Sequence, residues 1–457
     1  MATAKHEKFL LDSERVAFDL KHRATISFNM SKYYAAVDKG RLRYNSFQLA
    51  RKRAANLKRQ ALSGLDSYLL QFEKIFTKNG GIVLWAKDTE EAISYVSDIL
   101  KKNNAKIVVK SKSMTTEEIH FNEALEKQGI ESIETDLGEY IVQLAGERPY
   151  HIVTPAMHKS KEDVAILFNE KFGMPIKSTP EEMTALARKN LRTKYLSAEV
   201  GITGANFIVA DMGAFAVTEN EGNALMSTSF PKIHIAIAGI EKVIPSIKNL
   251  SLMWPHLALN GTGQAISTYN TLFSGPKRTN DVDGPEQQYI ILLDNGRTDL
   301  YAKSYQNQAL SCIRCGACLN ACPIYKNIGG YTYETTYQGP IGTVISPHYN
   351  GIKEHKHLTM ACSLCGNCSE VCPVKVPLHN LILNMRSIMV ENNYAPIAER
   401  VAMKSYASIL RKCSRMDMVG GGVKNSFMKL FASSLWGKYR SLPTFSAQSF
   451  RKQWKRK

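Results

Sequence analysis

No cysteine occurs in the first 311 of the 457 residues. A disulfide scaffold is thereby excluded for two thirds of the chain, because such scaffolds are short, cysteine-dense and secreted. No stretch approaches the roughly 18 consecutive apolar residues that a membrane-spanning helix requires. The opening MATAKHEKFLLDSERV lacks the apolar core of a signal peptide. Together these predict a cytoplasmic protein. Acids are missing from two places. Residues 39–65 carry eight basic residues (Lys39, Arg41, Arg43, Arg51, Lys52, Arg53, Lys58, Arg59) and no acid, and residues 424–457 carry nine and no acid. These seventeen account for nearly all of the formal +18, so the rest of the chain is almost neutral. No nucleic-acid recognition motif accompanies the charge. It points instead to solvated faces, acidic partners or peripheral contact with the anionic inner face of the membrane. Phe47, Ala50, Ala54, Leu57 and Ala61 recur at helical spacing and predict that the first patch is an amphipathic helix.

What is present is the composition of an ordinary globular protein, 44% hydrophobic and 22% charged, long enough for two or three domains. Residues 1–70 read as helical and basic. From GGIVLWA the texture changes to short buried strands (KIVVK at 106–110, KIHIAIAGI at 232–240, QYIILLDN at 288–295), with helix starts at Asp88, Thr115 and Thr179-Pro180. NFIVA-DMG-AFAVT reads as a hairpin around Asp211-Met212-Gly213. Residues 71–300 are thus expected to be one α/β domain. Residues 301–385 are rich in Cys, Gly, Pro and Tyr, and 386–457 return to helix before the basic tail.

Eight of the nine cysteines form two runs. Cys312-x2-Cys315-x2-Cys318-x3-Cys322-Pro323 is the first and Cys362-x2-Cys365-x2-Cys368-x3-Cys372-Pro373 the second. Three thiolates at x2 spacing wrap three corners of a cubane, and the fourth, before Pro, ligates the other cluster in two-cluster ferredoxins. The spacing therefore assigns Cys312, Cys315, Cys318 and Cys372 to one [4Fe–4S] cluster and Cys362, Cys365, Cys368 and Cys322 to a second. Gly316 and Gly366 leave room for backbone N–H groups near the sulfides. Structural zinc, usually held by two CxxC pairs, fits two complete four-cysteine runs poorly. The 39 residues between Cys322 and Cys362 suggest the helical ferredoxin of respiratory dehydrogenase subunits. Cys413, alone, is expected to be a buried structural thiol.

SKSMTTEEI (111–119), ETDLGEYIVQLAGERPYHIVTPAMH (134–158) and ITGANFIVADMGAFAVTENEGNA (202–224) resemble the lactate-utilisation (LUD) domain. GPEQQYIILLDNGR and the two cysteine runs continue the match in the same order. The resemblance implies a fold similar to CoA transferases and sugar-phosphate isomerases, followed by a two-cluster ferredoxin. It implies the iron–sulfur subunit of a complex oxidising L-lactate to pyruvate, beside a cysteine-rich CCG-motif subunit and a shorter LUD-domain subunit. It supplies no catalytic residues.

Three places in the α/β domain are candidates for chemistry. Lys110-Ser111-Lys112-Ser113 before a helix start suits an anion. Glu219, in the turn Thr218 to Asn223, looks like the nucleophile turn of CoA transferases. His151 and His158 flank Val153-Thr154-Pro155-Ala156 and are candidate bases for a 2-hydroxy acid. Each has a plainer reading as a loop, a turn or a structural histidine. No G-x-G-x-x-G between strand and helix, no Walker A motif and no recognisable flavin site appear. The leading expectation is an electron-transfer subunit. The alternatives are service to another hydroxy-acid or glycerol 3-phosphate dehydrogenase, or a LUD domain that itself binds the hydroxy acid.

Overall fold

The computed structural model describes residues 4–432 and 440–454. One compact body ends at Ser387 and the chain from Ile388 forms a second. The first body opens with four helices, Ala4–Phe18, Leu20–Arg41, Phe47–Ser63 and Leu65–Lys78. Ten strands follow: β1 (Ile82–Ala86), β2 (Ile107–Lys110), β3 (Glu131–Glu134), β4 (Val200–Gly204), β5 (Phe207–Val209), β6 (Ala214–Glu219), β7 (Ile233–Gly239), β8 (Val243–Ile244), β9 (Tyr269–Phe273) and β10 (Gln287–Leu293). Six make an all-parallel sheet in the order β1-β10-β7-β4-β2-β3, and four make a mixed sheet, β8-β5-β6-β9.

The parallel sheet is covered on both faces, which is why its central strands are unbroken apolar runs. Alternation along β7 divides the labour. Ile233, Ile235 and Ile237 pack with helices Thr89–Lys102 and Phe121–Glu126. Ala236 and Ala238 face the other way, against Ile208, Phe215 and Phe273 of the mixed sheet and Phe72 and Phe76 of helix Leu65–Lys78. The expected hairpin is present as β5 and β6, paired antiparallel from Phe207↔Ala216 to Val209↔Ala214.

Some local expectations shift. β1 is an edge strand with one neighbour, and Ile82 and Trp85 are each 40% exposed, so it is not the buried strand its apolar sequence suggests. Asp88 caps helix Thr89–Lys102 through the Glu91 N–H, while the Glu91 carboxylate returns to the Lys87 N–H rather than to Asp88. The helix start near 115 is capped by Ser113, not Thr115, and runs only from Met114 to Glu118. Thr179 forms the full capping box for helix Pro180–Ser197.

In the second body, helices Ile397–Leu410, Cys413–Asp417 and Gly421–Phe427 are followed by Phe450–Trp454. Cys413 is exposed, which overturns its expected burial: the short helix it opens has no buried residue to pack it against. Residues 433–439 and 455–457 of the basic tail lie outside the described residues.

Candidate iron–sulfur centre at the edge of the sheet

Both cysteine runs fold the same way. The second residue after the first cysteine is left-handed (Arg314, φ 59°; Leu364, φ 54°), and so is the glycine after the second (Gly316, φ 76°; Gly366, φ 83°). These turns curl the loop on itself before a short helix, Ala317–Ala321 or Asn367–Val371. Backbone N–H groups turn inward: Arg314 N donates to Cys312 Sγ (3.4 Å) and Leu364 N to Cys362 Sγ (3.3 Å). Gly316 is required twice over. Besides its φ, a Cβ there would lie 2.8 Å from Val153 and 3.3 Å from His151.

Cys312, Cys315, Cys318 and Cys372 line one narrow cavity, walled by Ile152, Ile313, Ile341, Val374 and Leu378. Burial pushes the Cys315, Cys318 and Cys372 thiols up, to about 11 at Cys372, where Cys312 adds to the effect. Cys362 and Cys365 act electrostatically on Cys322, and burial pushes Cys368, acted on by Cys362 and Cys322, up to about 12. Each run's fourth cysteine thus sits with the other run's first three. Among the described residues no three His, Cys, Asp or Glu side chains converge tightly enough for one metal ion. Cys315, Cys318 and Cys372 are buried, whereas Cys365 is exposed.

The charges around Cys312 test the fit of a cluster. The C-terminal ends of parallel strands are where open α/β sheets hold ligands, and here that edge carries buried ions. Arg297, after β10, has its Nε 2.6 Å from Glu241 Oε2 and its Nη2 2.8 Å from Glu118 Oε2. Arg314, in the first cysteine loop, reaches Glu241 Oε1 (3.3 Å) and stacks over Tyr337 (4.4 Å). Lys58 Nζ donates to the Glu241 carbonyl and Lys242 Nζ to that of Ala205, both at 2.6 Å. Burial lowers both lysines to about 8, so they remain cationic at neutral pH. Glu241 would be raised by burial, but Arg297 and Arg314 hold it down to about 2. Four cations therefore face two carboxylates. Two uncompensated positive charges in a dry interior would be costly. An oxidised cubane on four thiolates brings a net charge of about −2, which balances them. A buried donor also faces the loop. His151 Nδ1 accepts from Val153 N (3.1 Å) and Thr154 N (3.3 Å), which leaves the proton on Nε2, a buried atom without a protein partner.

The basic helix Phe47–Ser63 corrects the reading of its charges as surface charges alone. Arg51 and Lys58 are buried, 4% and 1% exposed. Arg51 donates to the carbonyls of Glu370 (2.5 Å), Cys372 (3.0 Å) and Ser369 (3.3 Å), closing the C-terminal end of helix Asn367–Val371. A signal existed: both lie on the face that Ala54 and Ala61 define.

The candidate residues of the α/β domain are otherwise occupied. His151 is 1% exposed and burial lowers it to about 3, so it is a neutral donor inside the fold, not a base open to substrate. His158 Nε2 lies 2.7 Å from Glu147, under the ring of Tyr150. Both oxygens of Glu219 accept backbone N–H groups, of Ala224 (2.6 Å) and Leu225 (3.0 Å), so it caps a helix. Lys110 is buried against Glu134 (2.7 Å) and Glu117 (3.2 Å), and Lys112 donates to the Val153 carbonyl, so the expected anion loop has spent its cations internally.

Near Lys110, Glu139 is 1% exposed and neither carboxylate oxygen has a hydrogen-bond partner. Burial, then Glu134, pushes its pKa well above the ordinary value. The folded state thus holds a proton that the unfolded state has lost above about 4.5. Stability on this account is greatest below that pH and declines as pH rises toward the folded pKa. Glu139→Gln is expected to flatten the fall in melting temperature between pH 6 and 9 and to raise it at the upper end. A parallel pH profile for variant and parent would show Glu139 ionised throughout.

The chain matches the LUD domain over residues 69–293 and a 4Fe-4S dicluster domain over residues 308–376. The dicluster match, with two four-cysteine runs, gives the chain 4Fe–4S clusters as its cofactor. An uncharacterized electron transport protein, YkgF, of Escherichia coli K12 is 42% identical over 89% of this chain and 87% of its own. Lactate utilization protein B of Bacillus cytotoxicus is 39% identical over 89% of this chain and 88% of its own, and that of Bacillus cereus AH820 is 39% identical over 95% and 93%. A solved DUF162 family protein from Deinococcus radiodurans aligns with 50% of this chain and 98% of its own at 12% identity and a TM-score of 0.30, a likeness too slight to bear on the site. A LUD domain followed by a dicluster domain, with this identity over nearly the whole length, places the chain in the lactate utilization protein B family.

Proposed function

We propose that the chain is the electron-transfer subunit of an assembly that oxidises L-lactate to pyruvate, and that its LUD domain is a platform rather than the site of oxidation. Cys312, Cys315, Cys318 and Cys372 hold one cluster, and Cys362, Cys365, Cys368 and Cys322 hold the other. The reading is carried by Cys372 sharing a cavity with Cys312, Cys315 and Cys318, and is supported by the action of Cys362 and Cys365 on Cys322; Cys315, Cys318 and Cys372 are buried and Cys365 is exposed. Lactate gives up two electrons, and clusters held so close carry them singly from a two-electron site to an acceptor. Arg51, Lys58 and Arg314 offset the negative charge of the thiolates, Arg51 fixes the helix that precedes Cys372, and Ile152, Ile313 and Ile341 keep water from the buried thiols. The occupied states of His151, His158 and Glu219 support a non-catalytic LUD domain. The partners are a CCG-motif subunit and a shorter LUD subunit, in the cytoplasm, with the basic tail available to the inner face of the membrane. No helix among the described residues is long and apolar enough to cross it.

The test is to purify the chain anaerobically, add L-lactate, and record EPR with and without the two partners. Reduction is expected by dithionite in either case and by lactate only with partners present. Reduction of the isolated chain by lactate would move the substrate site into this chain. Failure of lactate to reduce the complete mixture would overturn the relay.

A further inference from the structure

We propose that a basic recess beside the first cysteine run is the docking site of an acidic one-electron carrier protein. The inference rests on the relay reading and gives it an exit. The recess, of about 620 Å3, lies between helix Phe47–Ser63 and the loop after Cys372, over Tyr301, Asn307, Gln308 and Ser311. Lys52 and Arg59 stand on the helix wall and Lys375 on the loop wall, all exposed, and no acidic side chain lines it. The nearby Glu370 is not among its lining residues and lies 3.8 Å from Arg51.

Position makes this recess more than a charged hollow. Val374 and Val376 line both the recess and the cavity of Cys312, Cys315, Cys318 and Cys372. Ser311, on its floor, is the residue before Cys312. One layer of side chains separates a docked carrier from the buried cluster site. The same helix serves both sides of that layer: Arg51 turns inward to the Cys372 carbonyl and Lys58 to that of Glu241, while Lys52 and Arg59 turn outward. Along the chain beside Cys365 the exposed residues are Ser363, Asn367 and Glu370, none of them basic. The basic end of the relay takes the acidic partner. Cations on two facing walls favour a convex protein over a planar bilayer, which would meet only the rim. The transfer is balanced without bonds or protons: one electron leaves the reduced chain and one ferric haem of the carrier becomes ferrous.

The experiment uses the full, cluster-loaded chain, reduced with dithionite and freed of excess reductant. Its reoxidation is followed by stopped flow with cytochrome b5, an acidic haem protein, and with cytochrome c, a basic one. Lys52→Glu/Arg59→Glu/Lys375→Glu is expected to slow reoxidation by cytochrome b5 about tenfold or more at low salt. The gap should close at high salt, and cytochrome c should not be slowed. Lys101→Glu/Lys102→Glu/Lys127→Glu changes net charge equally on the LUD domain and should keep the parent rate. Iron content and EPR are measured for every variant. The neutral Lys52→Gln/Arg59→Gln/Lys375→Gln should show a smaller effect in the same direction. Unchanged rates with cytochrome b5, equal slowing by both carriers, or equal slowing in the LUD control would overturn the docking site while leaving the relay intact. So would binding of the parent to phosphatidylglycerol vesicles that the recess variant abolishes, since the recess would then face a bilayer. A parent chain without a dithionite-reducible signal would overturn the relay itself.

Discussion

Cys372→Ala is expected to leave the chain with half its iron, and the missing cluster should be that of the first run, not the second. Cys372 follows Cys368 by four residues, yet it shares its cavity with Cys312, Cys315 and Cys318. A cubane deprived of one of four thiolates in a buried apolar cavity has no replacement side chain there. The surviving cluster is then identifiable by access. Cys365 is exposed while Cys315 and Cys318 are buried. Cys372→Ala should retain the cluster that a ferrous chelator strips quickly, and Cys322→Ala the one it strips slowly. Both variants should lose the spin coupling of the dithionite-reduced parent and show a single uncoupled signal. If each run held its own cluster, the chelation rates of the two variants would be exchanged.

The sequence carries the two cysteine runs and the strands plainly, for physical reasons. Thiolate spacing is dictated by the cofactor, and a strand buried on both faces must be apolar throughout, as β7 and β10 are. Caps at Asp88 and Thr179 are local and hence readable. What a single sequence hides is the fate of isolated charges. Glu118, Glu241 and Arg297 each look like ordinary residues past the end of an element, and only the parallel sheet brings them to one edge. Arg51 and Lys58 are lost within a run of basic residues whose bulk faces solvent. His151 is visible as a histidine beside a proline turn, but its enclosure against Gly316 comes from a loop 165 positions later. β1 misleads in the opposite sense, because apolar composition does not reveal that a strand has only one neighbour.

Arg297 is where the buried edge is most exposed to damage. It is 0% exposed and makes two bonds to Glu118 (Nη1 to Oε1, 2.9 Å; Nη2 to Oε2, 2.8 Å), one to Glu241 and one to the Asp294 carbonyl. Glu118 also accepts from Tyr337 Oη (2.6 Å) and Asn295 Nδ2 (2.7 Å), and Glu241 from Arg314. Even the strand end is shaped for it: a Cβ on Gly239 would lie 2.4 Å from Arg297 Nε. Removing the central cation leaves two carboxylates buried with one arginine and two weakened lysines between them. Arg297→Met should cost about 3–5 kcal/mol, lowering the melting temperature by roughly 5 °C. Arg297→Lys should recover little, since an ammonium cannot form the planar bidentate pair. The double variant Arg297→Met/Glu118→Gln should melt above the single one, because it removes the stranded charge with its partner. The loss also reaches the relay. Without Arg297, Glu241 draws more on Arg314, and the cation at the first cysteine loop is pulled from its place over Tyr337. The single variant should therefore shift the midpoint potential of the slowly chelated cluster and leave the rapidly chelated one unchanged. A melting temperature within a degree or two of the parent would show that the network is not what joins the ferredoxin loops to the sheet. Equal shifts at both clusters would place its action in general unfolding rather than at this edge.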